Sequence, residues 1–246
     1  MTDYSVKSLD LSGQELTELP ANVLDLAHLE ALNLDGNALS TLPPGIARLQ
    51  WLKDLGLRHN HLESLPTGIC ELQFLELLWL DHNELRNLPP CIENLKNLRL
   101  LYMTGNRFKQ LPDCIGLLSG LQGLELMWNQ LESVTPAIGG LTNLESLDLR
   151  SNKLRALPEE IGTLSHLRYL YLGGNHLQQI PPAIFQLMNL EFLALDHNQL
   201  TTVSPAIHAL SKLRVLHLIG NPIKGPEEEA IRKMLPSVAV SFSPRK

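Results

Sequence analysis

The chain has 246 residues, of which 44% are hydrophobic, and a formal net charge of -6. That is enough apolar material for a core in one or two ordinary domains, and the acidic balance gives no general affinity for nucleic acid or an anionic membrane. Charged or amide residues interrupt every apolar run, so no membrane-inserted helix is predicted, and the opening "MTDYSVKSLD" has no apolar stretch of a secretory signal. Cys70, Cys91 and Cys114 lie in mid-chain without the clustering of a disulfide scaffold, which predicts free thiols and a reducing, cytoplasmic setting.

Internal repeats decide the elements. Asparagine recurs at Asn37, Asn60, Asn83, Asn106, Asn129, Asn152, Asn175, Asn198 and Asn221, always 23 residues apart, with Gln14 one step before the first. Ten units follow in chain order. The first, "LDLSGQEL", is open, with only five residues ahead of Val6, so it stays exposed or is covered by another chain or an absent segment. In each unit leucine or a close substitute stands five and three residues before the Asn position, as in Leu78 and Leu80 before Asn83. That period of two predicts a short strand with leucines inward and the intervening residues outward. After Asn the spacing stretches through a Leu-Pro pair in six units, and Ile180-Pro181 in a seventh, to I-x-x-L, which predicts a short helical or 3-10 turn opened by proline. After Asn221, "GPEEEAIRKMLP" has Pro226 and three glutamates at its start and Arg232 and Lys233 near its end, the polarity of a helix that caps the last unit. "SVAVSF" then alternates like a strand.

The pattern L-x-x-L-x-L-x-x-N-x-L-x-x-L-P-x-x-I-x-x-L resembles the leucine-rich repeat family, over residues 6 to 223. Its 23-residue spacing is similar to the intracellular subgroup of Ras-group plant proteins and Scribble-like scaffolds. The resemblance implies an α/β repeat fold, a leucine-rich-repeat solenoid with a curved parallel sheet inside and short turns outside. We divide it into a solenoid over 1–223 and a capping helix and tail over 224–246. Stacked units bury what one unit cannot, and the Asn column forms an internal ladder that satisfies turn backbone. Seven residues before each Asn position a second column (Lys7, Glu30, Lys53, Glu76, Arg99 and onward) alternates in sign along most of the stack, a pattern that helps hold strand register.

No phosphate loop, dinucleotide fingerprint or metal-binding motif is present, and no cofactor is expected. "HNH" at 59–61 falls in repeat register, so Asn60 belongs to the ladder and the two histidines flank it without converging. Cys91 and Cys114 share one column on adjacent units, where a disulfide is geometrically conceivable, although free thiols fit better.

Function is expected at the outward strand positions, because the fold does not dictate them. These 30 sites hold Trp79, Tyr102, Tyr169, Tyr171 and Phe192, five of the chain's 12 aromatics, against about one or two for an even scatter. Two patches result: Leu77, Trp79, Leu100, Tyr102, Met127 and Trp128, then Tyr169, Tyr171 and Phe192. A mainly acidic frame of Asp81, Glu125, Asp148 and Asp196, with Arg58 and Arg150, suits a partner with apolar or aromatic anchors and basic flanks. The expected activity is non-catalytic protein binding on the concave face, in intracellular signalling or scaffold assembly. The resemblance implies a small GTPase or another signalling protein as partner. The alternatives are the substrate-recognition region of a larger enzyme, such as a ubiquitin ligase or bacterial effector, and an engineered repeat scaffold.

Overall fold

The computed structural model describes residues 6–242. Its strands are β1 (Ser8–Asp10), β2 (Ala31–Asn33), β3 (Asp54–Gly56), β4 (Leu77–Trp79), β5 (Leu100–Tyr102) and β6 (Gly123–Glu125). They continue as β7 (Ser146–Asp148), β8 (Tyr169–Tyr171), β9 (Phe192–Ala194), β10 (Val215–His217) and β11 (Ala239–Ser241). All pair in parallel in chain order within one sheet, and from β1 to β10 the register is the 23-residue repeat, as in Leu55 opposite Leu78. Successive strands on one sheet cover each unit's leucines with the next unit's, and Leu55, Leu78, Leu101, Leu124 and Leu147 are all fully buried. Each such side chain contributes about 1.5–3 kcal/mol by leaving water.

Between strands the chain makes a five-residue 3-10 turn, nine in all among the described residues, from Ala21–Asp25 to Pro205–Ala209. Proline precedes or opens each of them. Its fixed φ suits a helical first turn, and its missing N–H is not needed there. Each turn buries an isoleucine, or Val23 in the first, and closes on a backbone bond such as Leu49 N–H to the Ile46 carbonyl. Where Leu-Pro is replaced, Thr135 and Ser204 accept hydrogen bonds from the backbone N–H groups of Ala137 and Ala206, so a side-chain cap takes over at both turns.

The Asn ladder connects each unit to its neighbours. Asn83 Nδ2 donates to the Leu57 carbonyl at 2.8 Å and the Leu80 carbonyl at 3.1 Å, while its Oδ1 accepts the Leu62 N–H at 3.0 Å. The same three bonds recur from Asn60 to Asn198, all of them buried, and again at half-buried Asn221. The charge column also pairs: Glu30 bridges Lys7 at 2.7 Å and Lys53 at 2.8 Å, and Glu191 meets Arg168 at 2.9 Å and Arg214 at 3.8 Å.

The helix α1 (Gly225–Met234) packs Ile231 into the core, and β11 adds a final strand beside β10. At the other end Leu9, Leu11 and Leu16 are half-buried where their counterparts in inner units are fully buried. The cysteines differ from expectation. Cys70 and Cys91 form a disulfide with their Cα atoms 5.7 Å apart, while Cys114, expected as a possible partner of Cys91, is the free one. Column counting misses this pair because the staggered turns of adjacent units set the tenth residue after one Asn against the eighth after the next.

Candidate functional site

Strand alternation puts the expected residues on the inner face of the sheet, in the rows between the buried leucines. Trp79, Tyr102, Tyr169, Tyr171, Phe192, Leu77, Leu100 and Met127 are all half-buried there, and Trp128 is 55% exposed at its margin. In the central row, registered pairing lines up Trp79, Tyr102, Glu125, Asp148 and Tyr171 on β4 to β8. The first two rings stack face to face, 4.1 Å apart and 2° from parallel. The guanidinium of Arg58 also lies over the indole, 4.8 Å from its centroid. Trp79 Nε1 donates to Asp54 at 2.9 Å, and Arg58 is held by Asp35 at 2.7 Å. The indole is therefore fixed by three neighbours, one of them held in turn by Asp35, a preorganised platform that loses little rotamer freedom when something docks on it.

Tyr171 and Phe192 form a second, looser contact at 5.1 Å and 41°, extended by His217, whose ring meets Phe192 edge-on at 5.0 Å. Arg150 covers Tyr171 at 5.1 Å and binds Asp148 through Nε and Nη2. Tyr169, at the start of β8, carries Arg168 at 5.3 Å. Trp128 stands apart from the Trp79–Tyr102 stack and faces His82 at 6.2 Å.

Electrostatics separate the carboxylates. Asp148 is only 4% exposed and is neutralised by Arg150. Glu125 accepts no hydrogen bond and joins no ion pair among the described residues. Burial pushes its carboxyl above the ordinary range, and the nearby Asp148 and Asp81 push it further. Burial likewise raises Asp81 and the Tyr102 phenol.

A family model described as a leucine-rich repeat region matches residues 45–156 and 132–234, and one described as leucine rich repeat matches 5–62. The chain belongs to the leucine-rich repeat family. No curated protein matches this leucine-rich repeat chain in sequence. Among solved structures it is similar to a leucine-rich repeat protein of Leptospira interrogans, with 27% identity, 97% of this chain and 96% of that one covered, and a TM-score of 0.56. It is also similar to a plant peptide hormone receptor, RGFR1, solved in complex with RGF2, at 27% identity and a TM-score of 0.75. That match covers 98% of this chain but 48% of the receptor. A complex of Latrophilin 3, Unc5D and FLRT2 shares the fold at 24% identity and a TM-score of 0.82, with 98% and 85% covered.

Two features of these leucine-rich repeats lie outside the expected patches, Trp128 alone being common to a patch and the first feature. The first is the position just before each ladder residue, where φ is positive in every unit. Five units place glycine there, but His59, His82, Trp128, Ser151 and His197 occupy it at φ of 51 to 55°. A bulky ring in that region is strained. His59 and His82 stack at 4.5 Å, and Gly105 is needed beside them: a Cβ there would lie 2.6 Å from His82 Nδ1, in a backbone at φ +68°. The recurrence of glycine at this position was the available signal. His61 points elsewhere, toward Glu84 at 3.6 Å.

The second feature is on the flank where the chain climbs into each strand. Asn97, Asn143 and Asn189 each donate there to the carbonyl of the residue 24 before. Trp51 and Phe74 hold the same repeat position but stack on each other at 5.1 Å and 6°, with 49% and 45% of their surfaces exposed. Two aromatics at a repeat position that holds asparagine in three later units were the signal in this case.

Among the described residues no group of three or more His, Cys, Asp or Glu could hold a metal, and no helix is long and apolar enough to cross a membrane.

Proposed function

We propose that this chain is a non-catalytic module that binds a protein or peptide on the inner face of its sheet, with the Trp79–Tyr102 stack as the anchor. The observation that carries the reading is that stack: two large rings, locked face to face by Arg58 and Asp54, on a face that no other part of the described chain covers. Rigid aromatic anchors within a polar rim are the usual composition of interface centres. Structural relatives solved with protein or peptide partners support the same direction. A cytoplasmic signalling or scaffold role, with a small GTPase or another signalling protein as partner, belongs to the proposal through the 23-residue pattern. It requires the Cys70–Cys91 bond to be reduced in that compartment, since reducing cytosol rarely preserves disulfides.

The test is affinity capture with mass-spectrometric identification, comparing wild type, a Trp79→Ala/Tyr102→Ala variant and a Glu160→Ala control on the opposite surface. Proteins retained by wild type and the control but lost from the double variant are the expected result. An identical set from all three rejects the inner face as the docking site. Alkylating thiols at the moment of lysis decides the compartment: an oxidised pair at that point excludes the cytoplasmic role.

A further inference from the structure

The inner face carries charge as well as rings. Its outward positions hold seven carboxylates (Asp10, Asp35, Asp54, Asp81, Glu125, Asp148 and Asp196) against two guanidiniums, Arg58 and Arg150. The excess of five negative charges is nearly the whole formal charge of the chain, -6. Both arginines are committed, Arg58 to Asp35 and Arg150 to Asp148.

Asp196 lies apart after β9, 3.8 Å from His217, and the other four acids fall in two places on either side of the Trp79–Tyr102 stack. On one side, above β1 to β3, the small residues Ser8, Ala31 and Gly56 leave a hollow of about 320 Å³, walled by Trp79 and by the Arg58–Asp35 ion pair. A Cβ on Gly56 would lie 2.9 Å from Asp35 Oδ1, so glycine there lets Asp35 turn toward Arg58. Asp10 and Asp54 border the hollow, and each accepts a hydrogen bond from a neutral donor: the Ser12 N–H and the Trp79 indole N–H. On the other side Glu125 is half-buried next to Tyr102 in the same row, with Asp81 and Asp148 near enough to raise its pKa.

We propose that the partner presents an extended segment running across the strands, with one basic side chain in the hollow between Asp10 and Asp54, apolar residues over Trp79 and Tyr102, and a second basic side chain at Glu125. This rests on the inner-face reading above and names the chemistry of what binds there. A cation at each place gains an unpaired carboxylate and, at Glu125, the adjacent Tyr102 ring. The spacing follows from the sheet. The hollow centres on β2 and Glu125 lies on β6, four strand intervals of about 4.8 Å, or about 19 Å. An extended chain advances about 3.4 Å per residue, so the two basic residues stand about five or six positions apart.

The experiment uses the full chain and capped synthetic peptides, titrated calorimetrically at physiological salt. One peptide separates two arginines by six positions with Leu-Phe between them; a second has the same composition with adjacent arginines; a third replaces both arginines by glutamine. The spaced peptide is expected to bind at least tenfold more tightly than either other peptide. Asp54→Asn, which keeps an acceptor for the Trp79 indole, and Glu125→Gln are each expected to weaken it at least fivefold, and Glu160→Gln on the opposite surface to leave it unchanged. Equal affinity for spaced and adjacent arginines, no measurable binding of the spaced peptide, or insensitivity to both variants overturns the proposal. If the spaced peptide fails while captured proteins still depend on Trp79 and Tyr102, the charged segment is wrong and the docking face stands. If nothing captured depends on those rings, both fall.

Discussion

Replacing Asn106 by alanine tests the ladder that holds the stack together. The side chain makes three buried bonds: Nδ2 to the Leu80 carbonyl at 2.9 Å and the Met103 carbonyl at 3.1 Å, and Oδ1 from the Leu85 N–H at 3.0 Å. The losses are unequal. The Leu80 carbonyl still receives Asn83 Nδ2, and the Met103 carbonyl still receives Asn129 Nδ2, because each ladder carbonyl is shared by two amides. The Leu85 N–H loses this acceptor in a buried position, at about 1–3 kcal/mol, and the two weakened carbonyls bring the expected cost to about 2–4 kcal/mol. Asn221→Ala removes the equivalent three bonds from a half-buried site that water can enter, and should cost about 1 kcal/mol. Urea unfolding followed by far-ultraviolet circular dichroism measures both, with a constant slope required before the energies are compared. A loss below 1 kcal/mol at Asn106, or equal losses at the two sites, would show that the ladder amides do not stabilise the fold by satisfying buried backbone.

Three further outcomes follow from particular contacts. Hydrogen bonds from Lys53 and then Lys7 lower the Glu30 carboxyl from its ordinary 4.5 to about 2. A depressed folded-state pKa stabilises fully above 4.5 and less and less as pH falls toward 2, so the thermal midpoint of Glu30→Gln should lose less than wild type between pH 5 and 2; parallel curves would reject the pairing. Gly105→Ala forces a side chain into φ +68° against His82 and should cost about 1–3 kcal/mol in the same urea assay. Adding His82→Ala should recover part of that loss, and no recovery would mean that the ring does not crowd the site. The Cys70–Cys91 bond closes a loop of 21 residues, so the Cys70→Ser/Cys91→Ser variant should lose about 2–4 kcal/mol relative to oxidised wild type. Denatured, unreduced wild type should show one titratable thiol, Cys114; three would reject the disulfide.

Much of this architecture was legible in the sequence because one period governs every unit. A 23-residue spacing that returns Leu, Leu and Asn to the same places leaves parallel stacking as the arrangement that buries all the leucines and satisfies all the amides. The outward placement of Trp79, Tyr102 and Tyr171 follows from strand alternation, and the Lys7–Glu30–Lys53 bridge follows from the column of opposite signs. Sequence spacing could not say which ring would stack on which neighbour, that Arg58 and Asp54 would lock Trp79, or that Glu125 would lack a partner while Asp148 gained one. Those outcomes depend on rotamers and on distances between side chains of different units. The cysteine pairing belongs with them, since the stagger of adjacent turns brings Cys70 rather than Cys114 to Cys91. Periodicity specifies a position within the repeat, and contact depends on how two neighbouring units fill the space between them.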